Sequence, residues 1–410
     1  MTKEQEVLLC VLKHAINGDS GDKFDADYSD IDWKAFVKES IYQAVSYIAF
    51  EHSSCLTPYI PQNIYKKWSD IAVRIAVSNV NVINSQNDFI KILGGNYRYV
   101  ILKGLAAASY YPDPDFRSFG DVDFLVKNDD CDSVKSLLIE SGFEFSTEDN
   151  DHHLVFTRPK SHLEMHFEIP GIPYGEIGDK VRAFMDKVFD DCESVSLDNG
   201  LADTFYAPDK VRHGLILILH MQHHMLGEGL GLRHLMDWAC FVNATHREEF
   251  WDKKLLPFFK EIGIFVYAAA MTKTCALYLG SVCPEWCKDV SEELCGEIMR
   301  DVFSLGNFGV KDSEKSRSGA LISEHGKDGT KQSKCKHLWK QFNASVKSRH
   351  KSLEKHKILY PIFYVYEFFR YTFESMRGKK PKLNKLLKDA EKRKSVYEKL
   401  HVFETGKENK

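Results

Sequence analysis

From Lys3 to about Gly94, apolar residues return every three or four positions, as in Trp33, Phe36, Val37, Ile41 and Val45, and again in Val73, Val77, Val80 and Ile83. This spacing places them on one side of a 3.6-residue helix and predicts a helical region over residues 1–95. The period then changes. Tyr99–Leu102 is a short run with β-branched residues, Asp121–Val126 (DVDFLV) is a second strand, and between them lie Lys103-Gly104 and an alanine-rich helical turn. A helix over Asp130–Ser141 and strands at Phe143–Ser146, His152–Thr157 and His162–Ile169 complete a small mixed α/β domain over residues 96–200. The helical period resumes at Lys210–Leu226, Leu232–Asn243, Glu249–Leu279 and Glu285–Leu305, predicting a helical domain over residues 201–305. The expected class is α+β, a small mixed-sheet core flanked by N-terminal and C-terminal helical domains.

Beyond residue 305 the pattern fails. Residues 306–356 are rich in Lys, Ser and Gly, and over 326–356 nine Lys/Arg face two acids, which reads as a polar linker. Residues 357–410 read as an aromatic helix followed by a basic one, with twelve Lys/Arg against five acids over 377–410. That segment is a candidate surface for an anionic partner. The full chain, 410 residues with a formal charge of −4, is too long for one core and too balanced for a surface that tracks nucleic acid throughout. Its start, Met1 to Glu6, is charged where a signal peptide is apolar, and no uncharged stretch is long enough to span a bilayer. Ten scattered cysteines fit reduced thiols, so a cytoplasmic protein is expected. Cys283, Cys287 and Cys295 have no histidine nearby and read as ordinary helix cysteines.

Chemistry concentrates in two strands. Residues two apart on a strand share a face, so Asp121 and Asp123 present two carboxylates side by side, an arrangement that hard divalent cations stabilise. In His162–Ile169, the apolar Leu163, Met165, Phe167 and Ile169 alternate with His162, Glu164, His166 and Glu168, and a neighbouring strand of this kind supplies a third carboxylate. A half-solvated strand with alternating acids is the bland alternative.

The string LKGLAAASYYPDPDFRSFGDVDFLV, the strand LEMHFEI and a downstream H-x3-H with GLRHLMDWA resemble a bacterial family of uncharacterised nucleotidyltransferases, within the DNA polymerase β-like superfamily. The resemblance runs from about residue 60 to about residue 300 and implies a nucleotidyltransferase core. It implies transfer of a nucleoside monophosphate from an NTP to an unidentified acceptor, with release of pyrophosphate and dependence on two Mg²⁺ (or Mn²⁺) ions. By position, Asp121, Asp123 and Glu164 would be the metal ligands and catalytic residues, and Glu164 a proton acceptor. Lys103, Gly104, Arg117 and Gly120 would bind the nucleotide. This chain departs from the superfamily in one respect: Leu105 follows Gly104 where a phosphate-contacting serine is usual, and sixteen residues separate Gly104 from Asp121. A helix N-terminus with Lys103 and Arg117 is a substitute for the missing hydroxyl. For Arg117, an ion pair with Asp113 or Asp115 is the structural alternative.

A second constellation lies on the helices, where His213, His220 and His224 share a narrow arc and Arg233 and Asp237 share a face of the next helix. His166, His220, His224, Arg233 and Asp237 are candidates for contacting the acceptor or supporting the site. Two other readings stand beside the transferase. One is an idle nucleotide- or partner-binding module of the same fold, which Leu105 favours. The other is a helical metallophosphohydrolase built on the histidines, with Asp237 as a further ligand.

Overall fold

A computed structural model describes residues 1–18, 28, 30–146, 153–173, 175–197, 200–311, 360, 363–367, 370, 393 and 395–403. The expected linker lies, beyond Lys311, outside the described residues, as does most of the aromatic and basic segment. The chain opens with α1 (Lys3–Asn17), α2 (Trp33–Tyr42), α3 (Ser46–Glu51) and the long α4 (Gln62–Leu93). Thr2 and Asp32 cap α1 and α2 with their side chains, and Gly18 and Gly94 end α1 and α4 in the left-handed conformation.

β1 (Tyr99–Ile101), the four-residue α5 (Leu105–Ala108), β2 (Val122–Val126), α6 (Cys131–Glu140), β3 (Glu144–Phe145), β4 (His153–Arg158) and β5 (Ser161–His166) form a five-stranded sheet of order β1-β2-β5-β4-β3. All neighbours are antiparallel except β2 and β5, which run parallel. The chain continues through α7 (Glu176–Met185) and a two-stranded ribbon of β6 (Glu193–Val195) and β7 (Phe205–Ala207). Helices α8 (Lys210–Leu226), α9 (Leu232–Thr245), α10 (Leu256–Glu261), α11 (Phe265–Leu279) and α12 (Glu292–Leu305) follow.

Two apolar cores result. In one, α1–α3 pack with α8–α12, so helices from opposite sides of the sheet in sequence share an interior, and Tyr397 and Leu400 from the tail join them. The other lies beneath the sheet, where Val122, Phe124, Leu163 and Met165 meet Ile83, Phe89 and Leu93 of α4 and Val134 and Leu138 of α6. α4 therefore spans both cores, about 48 Å for 32 residues.

Its valine stripe does not line either core. Val73, Val77 and Val80 are exposed, and the inward face over this stretch carries Ala72, Asn79, Ser85, Gln86 and Asn87. The reason is what α4 touches there: a loop with polar backbone groups to satisfy. Asn79 donates to the carbonyls of Asp115 (3.1 Å) and Arg117 (2.8 Å) and accepts from the Phe119 amide (2.9 Å), pinning the segment that leads into Asp121. Among the described residues, no helix is long and apolar enough to cross a membrane.

Candidate active site

The parallel pairing of β2 with β5 sets Asp123 directly opposite Glu164. Phe124 and Met165 next to them point into the lower core, so by alternation Asp121, Asp123, Glu164 and His166 occupy the other face. There a cleft of about 730 Å³ opens between the sheet and the helices α8 and α9. Every candidate read from the sequence lines it: Lys103, Gly104, Arg117, Gly120, Asp121, Asp123, Glu164, His166, His220, His224, Arg233 and Asp237. His153, His234 and Phe308 line it too. Nothing local in the sequence marks these three. They reach the cleft only because β4 pairs with β5, α9 docks on α8, and the turn after α12 folds back to them.

The sheet side is acidic. Asp123 is buried, and its Oδ1 accepts from Lys103 Nζ at 2.8 Å and meets His166 Nε2 at 2.9 Å. Burial alone would raise the Asp123 carboxyl, but the Lys103 ammonium and the His166 contact outweigh it and hold it below the usual range. The opposite holds for Asp121, pushed up to about 6 by the adjacent Asp123 charge and by burial. Glu164 is ringed by imidazoles, with His153 and His162 each 3.5 Å away and His166 at 3.6 Å. Burial again pushes upward, yet hydrogen bonds from His162 and His166 win and keep Glu164 well below an ordinary carboxyl. Glu164, expected to accept the nucleophile's proton, is thus a weak base in the metal-free fold.

β5 ends at His166, short of the expected Ile169. Glu168 lies past the strand, where its Oε1 accepts from Arg182 Nε at 2.7 Å, so it does not line the cleft.

The helical side is basic. Lys103 Nζ lies 3.2 Å from His220 Nε2, and His220 and His224 meet Nε2 to Nε2 at 2.8 Å. His234 packs beside both, with ring centroids 5.3 and 5.0 Å away, and burial lowers the affinity of all three imidazoles for a proton. His213 parts from this group despite sharing their arc: it is fully buried and its Nδ1 pairs with the Tyr110 hydroxyl at 2.9 Å.

Arg117 has neither Asp113 nor Asp115 as its partner. Its Nε and Nη2 donate to the two carboxylate oxygens of Asp237, both at 2.7 Å, and Tyr111 donates a third bond to Asp237 at 2.8 Å. Both side chains are buried, so this fork-to-fork pair ties the loop before Asp121 to α9. It commits the guanidinium expected to hold a phosphate, and it also takes Asp237 from the ligand set that a phosphohydrolase would need. α5, four residues long, is too short to supply the helix-terminal field expected there. Gly104 still matters locally, with φ +57° and ψ −116° at the turn that sends Lys103 into the cleft.

Three groups among the described residues bring metal-ligating atoms within 4.8 Å of one another: Asp121, His162 and Glu164; His153, Glu164 and His166; and His220, His224 and His234. Asp123, expected beside Asp121 and Glu164, belongs to none of them, and its Oδ1 is engaged by Lys103 and His166.

The model of a family described as an uncharacterised nucleotidyltransferase matches residues 29–280, which takes in both walls of the cleft. The chain belongs to this family. Membership gives nucleotidyl transfer as the general activity and a nucleoside triphosphate as the substrate class, in line with the resemblance carried by the LKGL-to-DVDFLV string. No curated protein and no solved structure matches this nucleotidyltransferase.

Proposed function

We propose that the protein is a metal-dependent nucleotidyltransferase that moves a nucleoside monophosphate from an NTP to a hydroxyl or similar acceptor on a small molecule, a glycan or lipid intermediate, a protein or RNA. The observation that carries this reading is the crowding of Asp121 against Asp123, which leaves the Asp121 carboxyl at about 6, beside Glu164 and at the edge of a nucleotide-sized cleft. Two such oxygens suit Mg²⁺ or Mn²⁺, since a divalent cation would relieve the repulsion that holds Asp121 high. Asp121 and Glu164 would hold the ion, with Asp123 behind them for a second. Bound there, it would neutralise the phosphoryl oxygens of the substrate.

The chain's own groups supply the rest. The acceptor's oxygen attacks the α-phosphorus, its proton is released to solvent in the open cleft, and the bond to the β-phosphate breaks as pyrophosphate leaves. Lys103, held by Asp123, directs its charge at the same space.

One observation favours the idle module instead: Lys103 and His166 together cap Asp123. A single experiment separates the two. The protein is incubated with each α-labelled NTP, Mg²⁺ or Mn²⁺ and host lysate, and the labelled species is sought. Transfer is expected from wild type and from Glu168→Gln, and none from Glu164→Gln. Absence of label with every NTP, or full transfer by Glu164→Gln, would count against the transferase.

A further inference from the structure

The basic side of the cleft contains a guanidinium without a direct ion pair. Arg233 lies on α9 with its guanidinium over the Phe308 ring (5.5 Å), and its Nε is closed off from solvent with no hydrogen-bond partner. Among the described residues its side chain makes no ion pair. The acid one turn along its own helix, Asp237, is engaged by Arg117 and Tyr111. Asp121 faces it across the cleft without closing to a salt bridge. Arg233 is only partly exposed, and a guanidinium in such a site without a direct ion pair is suited to a ligand that brings a negative charge.

The imidazoles next to it differ in what they offer. His234 Nδ1 accepts from the Gly231 amide at 3.4 Å, which assigns the ring proton to Nε2, and that Nε2 is buried without an acceptor. His220 Nε2 faces the Lys103 ammonium, which can only donate, so its lone pair is in use. The His224 Nε2 that meets it at 2.8 Å must then carry a proton, and that proton points at His220. A transition metal needs free imidazole lone pairs and would sit beside Lys103 and Arg233. An anion needs N–H groups and positive charge, which Arg233, Lys103 and the His234 Nε2–H offer.

We infer that Arg233, Lys103 and His234, with His220 and His224 packed behind them, form a polyphosphate-binding pocket on the helical side of the cleft, which takes the β- and γ-phosphates of the nucleotide and then the pyrophosphate. The assignment to the nucleotide's phosphates rests on the transferase reading; the binding of a polyphosphate does not. The pocket explains how a chain with Leu105 in place of a phosphate-contacting serine, a four-residue α5 and a committed Arg117 can still hold a triphosphate. The carboxylates across the cleft would keep that end away from the sheet.

The test is calorimetry and thermal melting of the full chain in EDTA, with inorganic pyrophosphate as probe. Pyrophosphate should bind at one per chain and raise the melting temperature, and Arg233→Met should weaken binding at least tenfold. Without ligand, Arg233→Met should melt at or above wild type, since it removes a charge without a direct ion pair. His234→Leu is the second variant and should also weaken binding. An imido analogue of the NTP should displace pyrophosphate. Asp121→Asn, inactive in transfer, should bind pyrophosphate as well as wild type, so loss of the transferase reading and loss of the pocket give different results. The inference is overturned by absence of pyrophosphate binding, by undiminished binding in Arg233→Met, or by a ligand-free Arg233→Met that melts lower. It is equally overturned if pyrophosphate and the analogue bind together, or if one equivalent of Zn²⁺ is retained and then lost in His224→Gln.

Discussion

Asp121→Asn should stabilise the protein while abolishing transfer. The substitution changes side-chain volume little and removes a charge that Asp123 opposes. In the fold the Asp121 carboxyl stands at about 6 against an ordinary 3.8, so the unfolded chain releases this proton more readily than the native one. A group whose folded value is raised destabilises the native state above that value and has no effect below the unfolded one. A displacement of about two pH units, at about 1.4 kcal/mol each, sets an upper limit of about 3 kcal/mol near pH 8. Asp121 is partly exposed at the edge of the cleft, and solvent screening brings the expected gain to about 1–3 kcal/mol. The assay is urea denaturation of wild type and variant in EDTA across pH. The gain should fall to about half its alkaline value near pH 5 and nearly vanish near pH 4, where the wild-type residue is itself protonated. A variant that is less stable than wild type at alkaline pH, or a gain independent of pH, would refute the argument that crowding holds Asp121 high. Transfer within a few-fold of wild type would refute its place in the chemistry.

Asp123→Asn should also end turnover, but at a loss of about 3 kcal/mol in a urea melt, because Lys103 and His166 both lose their buried anion. Asp237→Ala should cost about 3–5 kcal/mol by the same measurement, and the double variant Arg117→Met/Asp237→Leu should recover most of it, since an apolar pair leaves no unpaired charge. In Asp121→Asn, where the opposing titration of Asp121 is gone, stability should fall with acid between pH 6.5 and about 4: burial draws His213 down from 6.5 to about 4 and lowers His220, His224 and His234 as well, so the unfolded chain takes up protons that the native one refuses. His213 alone corresponds to about 3 kcal/mol, and a urea midpoint of that variant that stays constant over the window would contradict its neutrality in the fold.

Local pattern was enough for several conclusions about this chain. The change of apolar period from 3.6 to 2 after Gly94 and back near Lys210 marks the sheet between helices, and side-chain alternation puts Asp121 with Asp123 and Glu164 with His166 on shared faces. The family was legible in the same strings, because the spacing of Lys103, Asp121, Asp123 and Glu164 is carried by contiguous strands and turns. Periodicity also gave α4 its helix but not its buried face: Val73, Val77 and Val80 face water because the loop before Asp121 needed hydrogen-bond partners more than the core needed valines. What the tertiary structure alone decided is which charges meet. Arg117 lies within four residues of Asp113 and Asp115 yet pairs with Asp237 on α9, His213 leaves the histidine arc for Tyr110, and His234 joins His220 and His224 from another helix. Such pairings depend on how helices dock, and a charge buried by that docking takes whichever partner shares its low-dielectric surroundings, at any distance along the chain.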